Sequence, residues 1–221
     1  MDYPLPASAG RFASMSMPYR STEKTRLKKD AKRMALMQAA VRVFAAKGYH
    51  AATIRDIVAA AEVAIGTFYF YFPDKETLFV YLYEETADFV LQAIRQGVAG
   101  RATLPRQIRS GLGSYVNIAI YEPAVIQLLL VGGVGAVPAL LQKQAEFRQA
   151  LVSIWQQPLD QALDKGQLVL QNTRRSAELL AGGIDEVILN LLAAREPADE
   201  APAVVEELTA LALRAVGYTG S

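Results

Sequence analysis

Apolar positions recur every third or fourth residue along almost the whole chain, the period of helices that each bury one face. From Lys28 to Lys47, Met34, Met37, Val41 and Phe44 share one stripe, and Gly48 supplies a C-terminal stop. Thr53 suits the N-cap of a short helix from Ile54 to about Ala61, with Ile54, Ile57 and Val58 inward. A tight turn separates it from a second short helix, Ile65 to Phe72. Pro73-Asp74 breaks the chain, and Asp74 caps a long helix from Lys75 to about Val98 with Leu78, Leu82 and Phe89 facing the core.

Pro105 opens a helix to about Tyr121, followed by a short apolar helix from Glu122 to Val131. Pro138 is expected in the first turn of a long helix whose stripe is Leu140, Phe147, Leu151, Ile154 and Trp155, with Pro158 kinking or interrupting it. Helices over 174–194 and 203–216 complete the chain. No strand pattern competes, except for one run of alternating rings, so the fold class is all-α.

That run is Phe68, Tyr69, Phe70, Tyr71 and Phe72, on the second helix of a helix-turn-helix over 53–72. Phe68 and Phe72 are four apart, share a face and pack inward. Tyr69, Phe70 and Tyr71 cannot all be buried with them. Gly66, Thr67, Tyr69 and Phe70 form an outer face that either enters a major groove or packs against the rest of the protein.

Charge separates the chain into two parts. Residues 1–47 hold ten Lys/Arg against three Asp/Glu, a net of +7, and residues 48–221 carry a net of −6. A basic beginning suggests that this part meets a polyanion. Residues 1–22 lack the apolar segment of a secretory signal and read as a disordered tail. Pro123–Gln142 carries no charge, but its prolines and glycines leave too short a continuous run for a membrane span. There is no cysteine, in keeping with a reducing cytoplasm. The lone histidine, His50, and the lack of a Gly-rich phosphate loop leave no enzyme constellation, no metal set and no cofactor.

Residues 31–79 resemble the DNA-binding domain of the TetR/AcrR transcriptional regulators. The likeness rests on Phe44, Lys47-Gly48-Tyr49, Thr53 and Ile57, Gly66-Thr67-Phe68-Tyr69 with Phe72, and Lys75-Glu76. It implies a disordered tail (1–23), a helix-turn-helix domain (24–73) and an effector-binding and dimerisation domain (74–221), linked by the helix 75–98. Carried over to matching positions, it implies that Thr53, Thr67 and Tyr69 hydrogen-bond phosphates and that Lys75 adds a charged contact. Ile65, Gly66 and Phe70 would lie over base edges. Arg55 has the reach for a guanine edge, and Tyr71 stands where the family often has His. Lys28 and Lys29 fall in a basic segment that resembles the family's N-terminal arms, which touch the flanking phosphates or the minor groove. Two departures stand out. Glu62 replaces the usual turn glycine, and Ala64 replaces a capping hydroxyl.

The resemblance further implies a homodimer on double-stranded operator DNA, released by an effector. The last two helices would form the dimer pair, with Gly182-Gly183 allowing close approach. Effector candidates are Tyr115, Asn117, Ile118, Gln127, Val131, Phe147, Trp155 and Ile184, an apolar lining that suits a small hydrophobic, acyl-CoA-like or aromatic ligand. Arg148 would meet an anionic head group, with no other Arg/Lys cluster among the middle helices. The alternative is an adaptor of the same fold that senses no ligand, acts through a protein partner and has a filled C-terminal domain.

Overall fold

The computed structural model describes residues 23–132, 135 and 137–220. The expected tail lies outside the described residues. The regular elements of the described part are all helices, apart from a single bridge pairing Leu168 with Tyr218.

Helix α1 (Glu23–Ala51), α2 (Ile54–Ala60) and α3 (Ile65–Tyr71) form a small head. The stop expected at Gly48 is a kink inside α1. Gly48 has φ 72°, a left-handed conformation that costs glycine little, and one further turn carries His50. The buried side chains of α1 are Leu36, Ala39, Ala40 and Phe44, whereas Met34, on the expected stripe, is exposed. Leu36, Phe44, Ile57, Phe68, Phe72 and Phe79 belong to one continuous core.

Helix α4 (Lys75–Val98) joins head and body, with the bounds expected of it. Asp74 caps it by accepting the Thr77 N–H at 2.7 Å. Its core residues include Leu78, Leu82 and Val90. Phe89, expected inside, is half exposed, because it lies at the edge of a stripe already filled by its neighbours.

The body contains α5 (Leu104–Tyr121), α6 (Pro123–Gln127) running into a π turn (Leu128–Gly132), α7 (Leu140–Asp164), α8 (Thr173–Ala193) and α9 (Pro197–Ala215). α5 packs on α4 and α9, α7 packs on α4 and α8, and α6 with the π turn packs on α1. α5 and the α6–π segment meet at 102°, and among the described residues no single helix is long and apolar enough to cross a membrane.

Three expectations change here. Pro138 lies in the turn before α7. α7 runs through Pro158 without interruption, with the ring buried among core side chains. α9 starts at Pro197, earlier than expected. Pro fits a helix's first turn, and Asp199 and Glu200 favour its positive end.

Candidate functional site

The turn between α2 and α3 sets the angle of α3. Val63 N–H donates to Val58 O at 3.0 Å, and Glu62 between the helices has φ 54°. It is the one described residue other than glycine with positive φ, at a cost of roughly 1 kcal/mol for an L side chain. Ala64 supplies no side-chain cap to α3, as its missing hydroxyl implies.

α3 is anchored from below. Phe68 is fully buried and Phe72 nearly so, their ring centroids 6.1 Å apart, and Phe72 also meets Tyr81 of α4 at 5.9 Å. Over this anchor Ile65, Tyr69 and Phe70 are 47%, 56% and 65% exposed. Tyr71 is half-buried and edge-on to Phe70 at 4.9 Å. A Cβ at Gly66 would meet nothing within 4 Å, so the backbone itself is open to a close neighbour. Thr67 lies half-buried beside this face, and Arg55 is exposed on α2. Ile65, Gly66, Thr67, Tyr69 and Phe70 therefore share the outer side of one short helix. Lys28 and Lys29 are on the first turns of α1, but their side chains lie outside the described residues.

Two expected DNA contacts are occupied within the chain. The Thr53 hydroxyl accepts the Asp56 N–H at 3.1 Å and donates to Asp56 Oδ2 at 2.8 Å, while Thr53 N–H donates to the same oxygen at 3.0 Å. This closes a capping box at the start of α2 and leaves the hydroxyl no proton for a phosphate. The Lys47 ammonium 2.8 Å from Asp56, helped by the Thr53 donors, lowers the Asp56 carboxyl to about 2. Lys75 Nζ donates to Tyr49 O at 2.7 Å and Ala52 O at 2.9 Å, and lies 4.3 Å from the Tyr49 ring centre. Its charge ties α4 to the end of α1. In this geometry it favours a structural clasp over the phosphate contact expected from the resemblance.

The nine effector candidates do not line one cavity. Tyr115, Ile118, Phe147, Trp155 and Ile184 are buried in the common core. Phe147 also borders a cleft of about 280 Å³ with Tyr83 and Leu91. Gln127 and Val131 line a separate, mostly apolar crevice of about 530 Å³. It lies between α1 and the body, with Phe44, Gly48 and Leu192. Asn117 faces a third cavity, described below.

One group of candidates does converge, around a residue the sequence reading missed. Asp185 is buried, accepts the Tyr115 hydroxyl at 2.8 Å and pairs with Arg148 Nη1 at 2.6 Å. Arg148 is itself half exposed and bridges this carboxylate to solvent. Burial pushes the Asp185 carboxyl up despite its two donors. Burial also moves the Tyr83 phenol to about 12, and Tyr115 well above its ordinary value. The signal for Asp185 was a single charge beside Ile184 on a stripe that continues with Val187 and Ile188. Trp155 Nε1 is buried without a hydrogen-bond partner.

The absence of a further basic cluster is also corrected. Arg101, Arg106 and Arg109 line one cavity beside Asn117.

Residues 36–82 match the family of bacterial regulatory proteins described as the tetR family. The fatty acid metabolism regulator protein of Bacillus subtilis (strain 168) is 24% identical over 160 residues, covering 71% of this chain and 81% of that protein. The fatty acid degradation regulator FadR of Bacillus halodurans has a similar fold, with a TM-score of 0.75 at 23% identity over 85% of this chain and 97% of that one. FadR of Bacillus subtilis, solved with stearoyl-CoA, gives 0.69 at 22% identity over 80% and 97%.

Proposed function

We propose that the chain, whose residues 36–82 match the tetR family of bacterial regulatory proteins, is a DNA-binding transcriptional regulator and not an enzyme, and that it acts as a homodimeric repressor released from a palindromic operator by a long-chain acyl effector. The observation that carries the DNA half is the anchored α3, which holds Ile65, Tyr69 and Phe70 in solvent over buried Phe68 and Phe72. This face enters the major groove. The Tyr69 and Thr67 hydroxyls meet phosphates, Arg55 reads a base edge, and Ile65, Phe70 and Tyr71 contact base edges and thymine methyls. Lys28 and Lys29 extend the footprint along the flanking backbone. Residues 24–73 act as the reading head, and 74–221 act as sensor and dimer platform.

Dimerisation is supported by α8 and α9. Leu179 and Leu211 are 71% and 54% exposed, and a Cβ at Gly182 or Gly183 would meet nothing within 4 Å. Two adjacent glycines lower helix stability, and no contact inside the chain requires them. A second copy packed closely on this face does. Two heads then sit about 34–36 Å apart or somewhat more, in successive major grooves.

The acyl reading draws on the stearoyl-CoA bound to the B. subtilis relative and on the apolar body of this chain. A specific observation favours the adaptor as second reading: Tyr115 and Trp155 are close-packed, and an acyl chain has to displace core side chains to enter. The test is a gel shift on the DNA upstream of the gene, titrated with stearoyl-CoA and, separately, with free coenzyme A. Release by stearoyl-CoA alone supports the repressor. A complex indifferent to both, formed by a protein that sediments as a dimer, supports the adaptor. A monomer at micromolar concentration overturns the dimer.

A further inference from the structure

Helix α5 turns a row of hydrogen-bond donors toward α9. Arg106, Arg109 and Ser110, then Ser114 and Asn117, recur at helical spacing, and Arg101 joins them from the preceding turn. They line a cavity of about 600 Å³, bordered by Val205 of α9. Three guanidinium groups therefore share one space. A single carboxylate answers them: Arg109 Nε donates to Glu206 Oε1 at 2.6 Å. Arg101 Nε reaches Ser110 Oγ at 3.3 Å, a neutral partner. Arg106 has no partner among the described residues. Two positive charges are thus left uncompensated, in a part of the chain (48–221) whose net charge is −6.

The floor of the cavity adds an independent observation. Gly113 lies in the interior of α5, where glycine weakens a helix. Two other glycines of this region are required by packing. A Cβ at Gly97 would come within 2.7 Å of Ser110 O, and one at Gly111 within 3.0 Å of the Trp155 ring. A Cβ at Gly113 would meet nothing within 4 Å. Its missing side chain serves no contact in the chain, and it leaves the space in front of the arginines open.

We propose that this cavity binds a small molecule carrying at least two phosphate charges. Guanidinium forks match phosphate oxygens in pairs, and hydroxyl and amide donors at the rim complete the set. DNA backbone is not the partner, because α5 packs in the body on α4 and α9, whereas α2 and α3 pack on α1. Two sources share the chemistry, a free nucleoside diphosphate and the head group of a coenzyme A thioester. The site stands independently of what releases the operator.

The test is isothermal titration of the full-length protein with sodium pyrophosphate, ADP and coenzyme A, repeated on Arg106→Ala and Gly113→Leu. Pyrophosphate is expected to bind the unaltered protein. Arg106→Ala is expected to weaken it about tenfold or more, the effect of losing a charged hydrogen-bond donor. Gly113→Leu is expected to abolish binding by filling the cavity. Neither variant should lower the melting temperature or change the ligand-free operator affinity, since neither residue has an intramolecular role. Coenzyme A binding more tightly than ADP supports the thioester head group, and equal binding supports a nucleotide. Failure of all three probes to bind overturns the site, as does undiminished binding by Arg106→Ala.

Discussion

In α3, Tyr69 and Phe70 stand more than half exposed above a buried pair, Phe68 and Phe72, whereas in the body Tyr115, Phe147 and Trp155 are packed against their neighbours. Both regions spend large rings on their task, but the head has its rings in place before any partner arrives. Holding apolar rings in water requires a rigid support, and Phe68, Phe72 and Tyr81 provide it. The body stores its rings in the core, so any ligand entering there must first open it. On the proposed roles, a preformed head can scan DNA, whereas a close-packed body resists opening until the right molecule offsets the loss of packing.

The contrast breaks most clearly at the anchor. Phe72→Ala should cost about 3–5 kcal/mol and melt the head while the body persists, as a separated calorimetric transition. A melting curve like the parent's would mean that the outward rings need no anchor. In the body, Arg148→Ala leaves Asp185 with Tyr115 as its remaining partner and should cost about 1.5–3 kcal/mol at neutral pH. The sign of its pH dependence follows from the raised carboxyl. The folded state binds the proton more readily than the unfolded one, so protonation relieves the unpaired charge. The variant's deficit should shrink as pH falls toward the ordinary carboxylate range. A deficit independent of pH would show that the network is ordinary packing.

Smaller effects sharpen the picture of the head. Glu62→Gly should raise its stability by roughly 1 kcal/mol by relieving the left-handed turn, measured by chemical denaturation. An unchanged or lower midpoint would show that the turn is unstrained. Tyr69→Phe should leave melting untouched and weaken operator binding by about 0.5–1 kcal/mol, one hydrogen bond to phosphate. Equal affinity in a gel-shift titration would place the hydroxyl away from DNA.

Most of the helices were legible because caps and periods are local. Thr53 and Asp74 mark boundaries that the structure keeps, and Gly48 marks the kink near the end of α1. Residues at the margin of a stripe were less legible. Met34 and Phe89 fit a 3.6-residue period but fall outside the packed face, because period alone does not tell how wide the buried face is. The α3 face was legible from Phe68 and Phe72 together. The roles of Thr53 and Lys75 were not fully legible, since the carbonyls that hold Lys75 are 26 and 23 residues away in the chain. The body was least legible. Close-packed core and ligand lining draw on the same apolar residues, so Tyr115 and Val131 read alike and yet face different surroundings. The arginines of α5 were visible as letters, but their convergence depends on α9 lying across them.

The Lys75 clasp also has a mechanical meaning. α4 has 24 residues and a length of about 36 Å. Its far end lies against α5, where Gly97 and Val98 meet Ser110 and Gly111 of the helix that carries the arginine cavity, and its near end grips the carbonyls of Tyr49 and Ala52. A tilt of 5° about one end moves the other by about 3 Å, roughly the rise of two helical residues. Through Lys75 that displacement is delivered at the junction of α1 and α2, next to the capping box that opens α2, the helix from which the turn to α3 springs. A ligand-driven shift too small to disturb the body's packing would still be enough, at that distance, to take a recognition helix out of register with its groove.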